Sequence, residues 1–97
     1  MIRIVKLHFQ EAHLASFLNH FERVKEQVAT FPGCAGMQLL QDKKDPCCLF
    51  TYSIWENEAA LAAYRQSDLF ASIWPTIKPW FASAAEAWST DLHFNGI

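Results

Sequence analysis

The chain has 97 residues, 52% of them hydrophobic, and its eight basic and ten acidic residues give a formal net charge of −2. That length suits one compact domain and not two. The charge pattern excludes a nucleic-acid surface, because the only basic pair, Lys43-Lys44, sits between Asp42 and Asp45.

No apolar run reaches the length needed to cross a bilayer. The N-terminus carries no signal-peptide pattern, so a cytoplasmic protein is expected. The three cysteines, Cys34, Cys47 and Cys48, are odd in number and two are adjacent. That is a poor disulfide framework, and small buried hydrophobes are the expected role.

Residues Ile2 to Phe9 alternate, with Arg3, Val5, Leu7 and Phe9 on one face and Ile2, Ile4, Lys6 and His8 on the other. This predicts a strand whose second face is half apolar and ends in ionisable groups. A helix is predicted from about Glu11 or His13 to Thr30. Leu14, Phe17, Leu18, Phe21, Val24 and Val28 form its apolar stripe, and Pro32-Gly33 stops it. His13 and His20, seven residues apart, read as solvent-exposed. Ala35 to Asp42 predicts a second strand, with Gly36 marking a bulge or a close backbone approach. The polar run Asp42 to Pro46 turns it into a third strand over Cys48 to Trp55.

Asn57 then caps a helix running to about Gln66, Ser67-Asp68 breaks and recaps it, and a short helix reaches Trp74. Pro75 and Pro79 predict helical turns with a kink over Pro75 to Phe81. Ala87 to Phe94 alternates again and predicts a fourth strand. The order strand, helix, strand, strand, helix, strand is that of the split βαβ arrangement. The expected fold is therefore α+β and ferredoxin-like, with a four-stranded antiparallel sheet carrying two helices on one face. Apolar groups occur at both parities of the first three strands. Four tryptophans and eight phenylalanines also exceed what one small core readily hides. A second copy covering the open sheet face is the expected partner, giving a homodimer.

The turn Phe31-Pro32-Gly33-Cys34-Ala35-Gly36, the segment Trp55-Glu56-Asn57-Glu58-Ala59 and the run Tyr64 to Phe70 resemble the antibiotic biosynthesis monooxygenase (ABM) superfamily. The resemblance covers Ile2 to about His93. It implies a dimeric α+β barrel in a family that includes oxygenases acting on polyketide quinols without metal or flavin, haem-degrading enzymes, quinol oxygenases and many members without assigned activity. Its haem-degrading branch places a ligating histidine where this chain has Trp74, and an indole supplies no axial ligand. No cofactor and no metal are therefore expected.

A cofactor-free oxygenase needs a dry pocket, a base and hydrogen-bonding groups for the substrate oxygens. His8 or His93 is the expected base. Tyr52, Trp55, Tyr64, Trp74 and Trp88 are expected to build the pocket wall, with Gln38, Thr51 and Asn19 as hydrogen-bonding groups. The alternatives are a non-catalytic dimer of the same fold that binds a small molecule, an enzyme of another reaction type on this fold, and a structural dimer whose aromatics fill its core.

Overall fold

A computed structural model describes residues 1–97. Strand β1 (Ile2–His8) leads through a single 3-10 turn into helix α1 (Leu14–Ala29). Strands β2 (Cys34–Gln41) and β3 (Cys48–Trp55) form a hairpin. Helices α2 (Glu58–Arg65) and α3 (Asp68–Ile77) follow, and strand β4 (Glu86–Thr90) completes the sheet. The strand order is β2-β3-β1-β4, and every pairing is antiparallel. This is the split βαβ topology, with all the helices packed on one face.

Side-chain alternation settles which residues meet across the sheet. On the helix-facing side the rows are Met37–Ser53–Arg3–Ser89 and Leu39–Thr51–Val5–Ala87. On the open side they are Gln38–Tyr52–Ile4–Trp88 and Leu40–Phe50–Lys6–Glu86. The core lies between the helix-facing side and the helices. It is centred on Leu7, Phe9, Phe17, Leu49, Ile73 and Ile77, all buried. Leu49 and Leu7 are cross-strand partners, and Phe9 stacks on Phe17 with ring centroids 4.2 Å apart.

The chain's punctuation positions these layers. Asn57 Oδ1 accepts from the Ala60 amide at 2.9 Å, and Ser67 Oγ accepts from the Phe70 amide at 3.1 Å. Each cap satisfies an amide that the helix itself leaves bare, worth about 1 kcal/mol. The two caps divide the second helical segment into α2 and α3. Gly33 turns the chain between α1 and β2 with φ +87°, and a register shift marks the predicted bulge between Cys34 and Gly36.

Two elements differ from expectation. The helical turns expected after Trp74 are present, but Pro75 to Ile77 continue α3 itself and a 3-10 turn over Lys78–Trp80 follows. Ile73 and Ile77 are one turn apart and both buried, so core packing offsets the hydrogen bond that Pro75 cannot donate. Strand β4 stops at Thr90, because its ladder with β1 ends at the Ile2–Thr90 pair. Residues 91–97 carry no regular structure, and Leu92, Phe94 and Ile97 are exposed. No helix is long and apolar enough to cross a membrane.

Candidate functional site

A cavity of about 520 Å³ lies between the helix-facing side of the sheet and the helices. That volume falls within the usual range of small-molecule sites. Its walls are mainly apolar, with Phe17, Phe21, Phe70 and Trp74 among them. Aromatic contacts run without a break along one side. Trp55 stacks on Tyr64 at 5.2 Å, Tyr64 meets Phe70 edge-on at 5.3 Å, and Phe70 stacks on Trp74 at 5.7 Å. Such pairs hold one another's orientation and fix the shape of the wall.

Of the ten residues expected at the site, Asn19 is exposed on α1 outside this cavity, and Thr51, Trp55, Tyr64 and Trp74 line it. Gln38, Tyr52 and Trp88 do not; with Ile4 they form one row across the open face of the sheet. His8 also belongs to the open face, since alternation sets it opposite Leu7. Its Nε2 lies 3.1 Å from Asp45 Oδ2 and its Nδ1 3.4 Å from Ser83 Oγ. His93 lies beyond the end of β4 in the exposed tail. The two histidines are thus not brought together, and neither lines the cavity.

The imidazole that does line it is His20, which the sequence suggested was exposed. His20 is 9% exposed, and its Nε2 is buried with no hydrogen-bond partner. Its ring meets Trp80 edge-on, with centroids 6.2 Å apart. Burial lowers the His20 pKa below the ordinary histidine value, and repulsion from Arg23 lowers it further. The ring is therefore neutral at pH 7, with one donor nitrogen and one acceptor nitrogen. A weak signal was present in the spacing: His20 is three residues after Phe17 and four before Val24, at the margin of the apolar stripe of α1.

Tyr64 contributes the other perturbed group. Burial, with a smaller effect from the Cys34 charge, pushes its phenol up to about 12. It therefore remains a protonated donor at neutral pH. Arg3, Arg65 and Ser53 complete the polar lining with Thr51. Arg3 donates from Nη1 to Ser89 Oγ at 2.9 Å. Trp55 donates from Nε1 to Ser53 Oγ at 2.9 Å, and that hydroxyl donates onward to the Arg3 carbonyl at 3.5 Å. No Asp or Glu side chain lines the cavity. No group of three or more His, Cys, Asp or Glu side chains is placed to hold a metal ion.

Known proteins share this arrangement of elements. Residues 1–74 match the family model described as ABM, antibiotic biosynthesis monooxygenase. Over 65 residues, 67% of this chain, the sequence is 31% identical to the 42.8 kDa protein in the whiE locus of Streptomyces coelicolor. The chain spans only 16% of that relative's length. Among solved structures, a provisionally assigned antibiotic biosynthesis monooxygenase from Nitrosomonas europaea superposes with a TM-score of 0.88 at 18% identity, covering 96% of this chain and 98% of its own. A conserved protein from Methanosarcina mazei Go1 superposes with a TM-score of 0.82 at 24% identity, covering 89% of this chain and 86% of its own. At these identities the superpositions speak for the fold, and the match over residues 1–74 speaks for descent. On that match the chain belongs to the antibiotic biosynthesis monooxygenase family.

Proposed function

We propose that the protein is a cofactor-independent monooxygenase that oxidises an aromatic quinol or related phenol within the cavity, with His20 as the base. The observation that carries this reading is that His20 is the one imidazole lining a mainly apolar, aromatic-walled cavity, with its Nε2 closed off and left without a hydrogen-bond partner. Burying a polar atom without a partner is costly, and a turn of the ring that brings Nε2 to a ligand hydroxyl would satisfy it. A neutral imidazole can then take the phenolic proton.

The resulting anion carries its excess electron density on the ring, where dioxygen can add. A carbon–oxygen bond forms and dioxygen is reduced to a peroxide on that carbon. Loss of the one hydrogen on that ring carbon as a proton, with cleavage of the oxygen–oxygen bond and departure of hydroxide, leaves a quinone carbonyl and water. The substrate ring supplies all four electrons that dioxygen accepts, so no external reductant is consumed. Tyr64, held protonated, and Thr51 supply donors for substrate oxygens. Trp55 and Trp74 supply flat walls.

The open sheet face supports a second part of the same reading. Leu40, Ile54 and Trp88 are 47%, 42% and 47% exposed on it, beside Ile2, Ile4 and Phe50. A second copy, sheet against sheet, would remove this area from water. Oxygen uptake with a panel of hydroquinones and naphthols tests the reaction class. Uptake above buffer, with one oxygen atom of labelled dioxygen retained in the product, supports it. Uptake no faster than buffer across the panel leaves the cavity as a binding site only.

A further inference from the structure

The charge lining the cavity is one-signed. Arg3 and Arg65 are its two ionised residues, and no acidic side chain accompanies them although the chain carries ten. Neither guanidinium has a carboxylate partner: the ion pairs of the structure are His8–Asp45 and Lys25–Glu22. On the helix-facing side Arg3 has serines as both cross-strand neighbours, Ser53 and Ser89. It is the one charged residue on that side of β1, among Val5, Leu7 and the buried Phe9. Arg3 and Arg65 also repel each other, which, behind burial, lowers the hold of Arg3 on its proton. Two unneutralised cations at one apolar cavity store unfavourable energy that an anion would relieve. Guanidinium forks suit a carboxylate in particular, since both of its oxygens can accept.

The position of these cations along the cavity adds a second constraint. Arg3 lies near the start of β1. His20 packs on Trp80, whose carbonyl accepts from the Gln10 amide just past the other end of that strand. The imidazole therefore lies on the Trp80 side of the space and Arg3 toward the other.

We infer that the ligand of this cavity is an elongated aromatic acid, its carboxylate held by Arg3 and Arg65 and its phenolic end directed at His20. This rests on the cavity being the site proposed above and specifies the class of molecule it takes. The aromatic chain Trp55–Tyr64–Phe70–Trp74 stands along the space for the ring system. Arg65, exposed at the end of α2, would meet the carboxylate first, and Arg3, half-buried in the sheet, would fix its final position.

The test uses three probes: 6-hydroxy-2-naphthoate, its neutral amide 6-hydroxy-2-naphthamide, and 2-naphthol. Binding is read by calorimetry on the parent, Arg65→Gln and Arg65→Glu. The parent is expected to bind the acid at least tenfold more tightly than the amide, with the ratio shrinking as salt is added. Arg65→Gln should bring the ratio toward one, and Arg65→Glu should invert it. Arg65 is exposed, so both variants are expected to fold, which circular dichroism would verify. Equal binding of acid and amide by the parent, or an unchanged ratio in both variants, overturns the inference while leaving the cavity as a site for neutral phenols. Failure of all three probes to bind overturns both the inference and the site.

Discussion

A buried imidazole with a bare nitrogen resists protonation, and folding stability must register that. The pKa of His20 is lowered in the folded state, by burial first and by Arg23 second. Between its lowered value and the ordinary histidine value, the unfolded chain binds the proton and the folded chain does not. The stabilising contribution is therefore complete above the ordinary value and is lost as the pH falls through it toward the folded one. Thermal unfolding followed from pH 8 to pH 5 should show a midpoint that falls on the acid side, with a shallower fall in His20→Gln. An equal fall in both would remove His20 as its source. At this scale the sequence was partly legible. Thr51, Trp55, Tyr64 and Trp74 line the cavity, whereas Gln38, Tyr52 and Trp88 lie on the open face of the sheet. His20 was hidden because a histidine at the margin of an apolar stripe reads as surface until neighbouring helices are in place. Here Trp80, from the turn after α3, covers it.

Caps and turns were the clearest features of the elements. Asn57 and Ser67 each cap a helix as their residue types suggest. Gly33 is the position with least freedom to change. Its φ of +87° is unfavourable for any side chain, and a Cβ there would come within 2.5 Å of the Ala60 Cβ. Gly33→Ala should therefore destabilise the fold by about 1–3 kcal/mol in urea denaturation, the dihedral cost and the collision adding. Adding Ala60→Gly should recover the collision alone, so only part of the loss. Full recovery would show that the backbone conformation costs nothing. The ends of α3 and β4 were less legible, for different reasons. Pro75 suggested a stop by its own chemistry, but burial of Ile77 carries the helix past it. The alternation of residues 87–94 suggested a long strand, but a strand also needs a partner, and β1 supplies one only as far as Ile2.

At the scale of the whole molecule, apolar side chains at both parities of the strands carried the most information. One parity builds the core around Leu7 and Leu49, and the other leaves Leu40, Ile54 and Trp88 on the open face. Sedimentation at micromolar concentration should give a mass about twice the 11.1 kDa of one chain. Ile54→Asp, which places a charge on the open face beside Ile2, should shift the protein to monomer without unfolding it. A parent that sediments as a monomer would defeat the sheet-to-sheet pairing. Leu49→Ala probes the opposite face. Leu49 is only 1% exposed and fully packed, so its truncation should cost about 2–5 kcal/mol of folding stability.

The two faces also divide the histidines, and this division tests the central claim most directly. His20 lines the cavity under the helices, while His8 sits on the open face against Asp45. The measurement is oxygen uptake with the best hydroquinone or naphthol substrate, comparing the parent with His20→Gln and His8→Ala at one pH. The account predicts a loss of at least about tenfold in kcat/KM for His20→Gln, as expected of a general base, and little change for His8→Ala. Activity that survives His20→Gln and falls with His8→Ala would place the chemistry on the other side of the sheet and contradict it.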